Sequence, residues 1–168
     1  VYGILAVGLF LAACTSTKPV VTSSEPEESG IRIPPPPADY TPDMYASYYY
    51  FQGVRAASIY NDLESAYASL NTALEYDSLH APTYYELSNL VVPTFPEQAL
   101  SFSHMANLLD PDNIWYKQQL GRLYILTGQY DSALTVYNGI VKLAPDNPEN
   151  YRYLAALYDE TRDPYTAI

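Results

Sequence analysis

Residues 120–145 read LGRLYILTGQYDSALTVYNGIVKLAP, and two helical stripes are legible in them. Leu120 and Tyr124 stand one turn apart, with the small Gly121 beside them, until Thr127-Gly128 interrupts the run. Tyr130, Ala133, Leu134, Tyr137, Ile140 and Val141 then recur at helical spacing, and Pro145 closes the segment. The pattern is a pair of amphipathic helices joined by a tight turn. Gly121 and Ala133 leave room for the two axes to approach, while Tyr124 and Tyr137 fill the space around that contact.

The same design recurs on both sides. Leu87, Leu120 and Leu154 are spaced by 33 and 34 residues, as are Ser88, Gly121 and Ala155, and as are Val91, Tyr124 and Tyr158. Ala66, Ala99, Ala133 and Ala167 form a further series, and Ala73, Ala106 and Ile140 another. Several series locked to one period define a repeat of helical hairpins. Asn147-Pro148 starts unit four with an N-cap and a proline at the first helical position. In unit two, Pro93 ends the first helix, and Thr94-Phe95-Pro96-Glu97 has the spacing of a capping box.

This pattern resembles the tetratricopeptide repeat, whose consensus places Leu-Gly, Tyr, Gly-x-Tyr, Ala, an aromatic, Ala and Pro at fixed offsets. Unit three matches through Leu120-Gly121, Tyr124, Gly128, Tyr130, Ala133, Tyr137 and Pro145; unit two through Leu87, Ala99, Ala106 and Pro111; unit four through Leu154, Ala155 and Tyr158. The resemblance implies an all-α fold: αα-hairpin repeats in a right-handed superhelix of about three and a half units, at residues 47–79, 80–113, 114–147 and 148–168, within an array spanning 44–168. Since Ile168 falls inside a helix that the repeat leaves incomplete, the array is expected to continue beyond it, with the stretch from about 148 the least stable part.

Upstream the composition changes twice. Residues 15–43 carry seven of the fourteen prolines, including the run Pro34 to Pro37, with neither helical nor strand period. They read as a disordered linker with polyproline II character, reaching on the order of 90 Å at full extension. Val1 to Ala13 is uncharged and too short to cross a bilayer, so it reads as a signal h-region. A charged n-region and an initiator Met are missing, which suggests a clipped N-terminus. Leu11-Ala12-Ala13-Cys14 resembles the bacterial lipoprotein box, and by that resemblance Cys14 is the lipidated residue through which the protein is anchored to the membrane. By the same resemblance, Thr15 and Ser16 after the cysteine imply the outer membrane, and the acidic cluster Glu25, Glu27 and Glu28 stands well beyond the place where Bacteroidota surface-export signals carry acidic residues, so a Bacteroidota-like outer-membrane lipoprotein facing the periplasm is expected.

Eight Lys and Arg against nineteen Asp and Glu leave a net charge of −11, which argues against a nucleic-acid partner. One cysteine permits no internal disulfide, and Cys14, His80 and His104 are too scattered for a structural metal site. Common phosphate-binding, dinucleotide, zinc-protease and serine-hydrolase motifs are missing, so neither a catalytic residue nor a cofactor is expected.

In the repeat family the first helices line a concave face that binds ligands. The family's offsets point to Tyr48, Phe51, Gln52 and Arg55 in unit one, Tyr85, Glu86 and Asn89 in unit two, Trp115, Gln118, Gln119 and Arg122 in unit three, and Arg152 and Tyr153 in unit four. Tyr, Trp and Arg dominate binding energy at interfaces, and three arginines among the six cations after residue 43 suggest a locally positive groove for an acidic peptide. The chaperone-binding carboxylate clamp of some members needs Lys and Asn at set positions, and only Asn89 matches. The expected function is a non-catalytic protein-interaction scaffold in envelope assembly. The alternative is a glycan-binding surface lipoprotein of the starch-binding type, motivated by nineteen tyrosines but disfavoured by repeats that follow one another without inserted loops.

Overall fold

The computed structural model describes residues 35–161. The h-region with Cys14, the linker through residue 34, and Ala167 lie outside the described residues. Seven helices and no strand are found among those described: α1 (Pro42–Ser58), α2 (Leu63–Tyr76), α3 (Ala81–Val91), α4 (Pro96–Leu109), α5 (Ile114–Leu126), α6 (Tyr130–Leu143) and α7 (Pro148–Thr161). Consecutive helices pack as hairpins, each hairpin stacks on the next, and α1 also touches α3. The result is an all-α repeat superhelix.

Local chemistry sets the helix ends. The Asn113 Oδ1 accepts from the amides of Trp115 (3.1 Å) and Tyr116 (3.4 Å), Asp62 Oδ1 from Ser65 (3.0 Å), and Asn147 Oδ1 from Glu149 (3.0 Å). Each satisfies an amide that has no partner inside its helix. Gly128 takes φ +74°, where a β-carbon would be strained, and there the chain turns from α5 into α6. Two boundaries differ from expectation. Helix α1 begins at Pro42, inside the stretch assigned to the linker, because Thr41 and Pro42 supply its first turn. Thr94 and Glu97 form no capping box: Pro96 takes the first helical position, so Phe95 becomes the cap residue, and the amides of Thr94 and Phe95 both bond to the Val91 carbonyl.

The core runs between the helices of each hairpin and from one unit to the next. Leu87, Ala99, Ala106, Leu120, Gly121, Ala133 and Tyr137 are buried. Tyr124 is half-buried, and its hydroxyl reaches His104 Nε2 at 2.7 Å. Where helices cross, the small residues act as expected. A β-carbon on Gly53 would meet Leu70 Cγ at 2.6 Å, and one on Gly121 would meet Tyr137 Cε2 at 2.8 Å. At the corresponding place in the second hairpin, Ser88 Oγ donates to the Ala99 carbonyl at 2.8 Å.

Unit four departs from the assigned core. Leu157 is the buried apolar residue of α7, packed with Ala133, Tyr137 and Ile140, and Leu154 is only partly covered. Ala155 and Tyr158 are exposed, because no helix among the described residues follows α7 to cover their side. None of the described helices is long and apolar enough to cross a membrane.

Candidate functional site

Helices α1, α3 and α5, the first of their hairpins, border two adjoining clefts. One, of about 310 Å³, lies between α3 and α5 and is lined by Asn89, Gln119, Arg122, Leu123 and Leu126. The other, of about 320 Å³, is bounded by α1, α2 and α3, with Val54, Ala57, Leu63 and Leu90 as apolar walls and Glu86 as its charge. Asn89 and Pro93 line both, so the clefts meet at α3 and the turn after it. Each is at the lower end of the roughly 300–1,000 Å³ seen for ligand pockets.

A polar chain runs across this junction. The buried Gln119 donates from Nε2 to Asn89 Oδ1 (2.5 Å) and to the Tyr85 carbonyl (3.4 Å), tying α5 to α3. Its Oε1 is buried without a hydrogen-bond partner. Glu86 is half-buried, and desolvation raises its carboxyl above its ordinary value, the nearby Asn89 amide opposing this more weakly. Burial likewise raises the hydroxyls of Tyr50 and Tyr116, with the charge of Glu86 adding at Tyr50 and that of Asp110 at Tyr116. Arg122 is exposed and forms no salt bridge; the one ion pair among the described residues is Arg152 with Glu149.

The sequence-derived groove residues therefore divide. Asn89, Gln119 and Arg122 come together in one cleft and Glu86 in its neighbour, with Gln119 acting as a buried strut. Trp115, in the first turn of α5, is 71 % exposed and lines neither cleft. Gln118 is half-buried and also outside them. Tyr85 packs its ring on Tyr116 at 5.1 Å, and the Tyr153 ring lies 6.0 Å from that of Tyr137.

In unit one the family's offsets fall one residue out of step with the structure. Gly53 faces Leu70 as Gly121 faces Tyr137, so the α1 counterparts of Gln118 and Arg122 are Tyr50 and Val54. Tyr48, Phe51 and Gln52 instead line a separate hollow of about 350 Å³ with Tyr40 and Met44. Arg55 lies outside the clefts, its guanidinium 5.8 Å from the Tyr60 ring. Arg152, besides pairing with Glu149, sits 5.5 Å from the Tyr153 ring. The expected row of three free arginines is thus reduced to Arg122, with the carboxylate of Glu86 next door. Val54, Ala57, Leu90 and Pro93 were missed; counting from Gly53 in register with Ser88 and Gly121 finds the first two.

Many tyrosines serve one another. Tyr76 is stacked between Tyr45 (4.8 Å) and Tyr49 (5.7 Å), so the rings cover each other's faces. His80 Nδ1 is 2.7 Å from Thr83 Oγ1, its ring lies against Tyr50, and its pKa is lowered mainly by burial. Groups of three or more potential metal ligands are absent among the described residues.

Comparison with known proteins agrees with this architecture. The tetratricopeptide repeat family profile matches residues 96–158. Among solved structures, the first such domain of Spaghetti (RPAP3), bound to the HSP90 peptide SRMEEVD, is similar at 13 % identity and a TM-score of 0.63, over 72 % of this chain and 98 % of that one. The second such domain of human RPAP3, in complex with the HSP70 peptide SGPTIEEVD, is similar at 18 % identity and a TM-score of 0.62, over 70 % and 98 %. MamA is similar at 20 % identity and a TM-score of 0.62, over 68 % and 67 %. A search of curated protein sequences finds no match.

Proposed function

We propose that this tetratricopeptide repeat superhelix is a non-catalytic scaffold that holds a segment of another protein along the face built by α1, α3 and α5. The observation that carries the reading is the convergence of Asn89, Gln119 and Arg122 on one cleft that runs into a second at Asn89 and Pro93. Both clefts combine apolar walls with few polar groups, the composition of a recognition site. Two similar folds hold short peptides, which supports a peptide ligand.

Cys14 lipidation would hold the scaffold at the outer membrane, facing the periplasm, with the proline-rich stretch as spacer, and the partner would belong to envelope assembly. This part of the reading rests on Leu11-Ala12-Ala13-Cys14 and the segment after it. The exposed Trp115 favours the alternative of glycan stacking, whereas the mutually stacked Tyr45, Tyr76 and Tyr49 do not.

The test is a crosslinking pull-down from cell envelopes, with the full chain beside an Arg122→Ala variant. A protein captured by the first and lost with the second supports the scaffold. Unchanged capture overturns the groove assignment, and retention on a glycan array that depends on Trp115 favours the alternative. Fractionation of Cys14→Ala tests the anchor, which fails if the variant stays in the membrane fraction.

A further inference from the structure

We infer that the ligand of this face is a peptide segment carrying one basic and one acidic side chain close together, the basic one seated at Glu86 and the acidic one at Arg122. The inference rests on the reading of the face as a peptide-binding groove and adds the charge pattern that the groove selects.

Two opposite charges occupy adjoining clefts and are not paired with each other. Glu86 is the charged group lining its cleft, and Arg122 the charged group lining the other. The sole ion pair among the described residues lies elsewhere, in α7. The junction between them is occupied by Asn89, which lines both clefts and whose carbonyl oxygen is taken by Gln119.

Each cleft has the lining its occupant needs. Val54, Ala57, Leu63 and Leu90 give the Glu86 cleft apolar walls, against which the methylene stem of a lysine or arginine packs while its charged head reaches the carboxylate. Half-buried Glu86 has lost part of its hydration, and a ligand cation replaces it; an anionic side chain there would meet repulsion in a poorly solvated site. Across the junction, Leu123 and Leu126 flank Arg122, whose planar guanidinium takes a carboxylate in a two-pronged contact. An extended segment directs side chains i and i+2 to the same side, which lets neighbouring positions of one strand enter adjoining clefts. The two charges also fix the ligand's direction, because reversal places like against like.

The experiment uses the full chain and a set of capped alanine-based peptides. One group carries a Lys and an Asp separated by one, two or three alanines, in both orders; controls carry Lys alone, Asp alone or neither. Binding is followed by calorimetry. The expected result is that one order of the doubly charged peptides binds about ten-fold more tightly than either singly charged control, as one charge-assisted contact of roughly 1.4 kcal/mol supplies. Glu86→Gln should erase the preference for Lys and keep that for Asp, and Arg122→Gln should do the reverse. Binding without charge preference, or a Lys preference that survives Glu86→Gln, overturns this inference and leaves the scaffold reading standing. Failure of every peptide to bind overturns both.

Discussion

Gly121 lies against the ring of Tyr137 so closely that a β-carbon at position 121 would stand 2.8 Å from Tyr137 Cε2, and that ring is only 3 % exposed. Gly53 and Leu70 repeat the contact in the first hairpin, at 2.6 Å. The absent side chain is thus what allows the helices of a hairpin to cross at this distance.

Gly121→Ala should therefore destabilise the array. Overpacking costs about 1 to 3 kcal/mol, against which alanine's better helix propensity returns about 1. A net loss of up to about 2 kcal/mol is expected in urea unfolding. Gly53→Ala should lose more, because the added carbon also meets the Ala66 backbone oxygen at 3.1 Å, which cannot rotate away.

Gly139→Ala should have the opposite sign. This glycine lies within α6 and nothing stands within 4 Å of a β-carbon built there, so only the propensity gain remains. The expected stabilisation is about 0.5 to 1 kcal/mol, read from the same unfolding curves.

Ser88→Ala should cost about 1 kcal/mol by removing the buried hydrogen bond from Oγ to the Ala99 carbonyl. Ser88→Gly should cost more, since it adds a flexible backbone position in mid-helix. Equal stability of wild type and Ser88→Ala would show that the bond contributes nothing net.

Glu86 should leave a signature in the pH dependence of stability. Its carboxyl is raised above the ordinary 4.5 by burial, so between 4.5 and the raised value the folded chain binds more protons than the unfolded one. Stability contributed by this group is complete below 4.5 and is lost as pH rises through the folded value. The difference in unfolding free energy between Glu86→Gln and wild type should grow in favour of the variant over that window, then level off. A difference that stays flat across it would contradict the burial.

Trp115 is the single tryptophan and is 71 % exposed, so its fluorescence should resemble that of indole in water and be readily quenched by iodide. Trp115→Ala should change stability by less than about 0.5 kcal/mol, as for a surface substitution. A strongly blue-shifted, protected emission would place the ring in contact with something.

The fold was legible because its signal is periodic. Leu87, Leu120 and the alanines of the second helices recur at one interval, and a helix that meets its partner at every turn must repeat its small and large residues at that interval. Thr94-Phe95-Pro96-Glu97 shows the limit of such reading, since a spacing that suits a capping box was overridden by proline's claim on the first helical position.

The site was less legible. Asn89, Glu86, Gln119 and Arg122 could be found because units two and three are in register with the repeat, whereas Arg55 and Tyr48 followed a count one residue out of step with Gly53. What the chain's order of residues determined is the hairpin architecture and the series of helical positions that approach one another. What only the tertiary structure decided is which of those positions share a cleft and which polar groups are used up: Gln119 ties itself to Asn89, Arg55 leans over Tyr60, and Glu86 and Arg122 remain unpaired with each other. Periodicity specifies where a side chain starts along a helix, but its partners are set by contacts between helices about 30 residues apart, which a one-dimensional pattern does not encode.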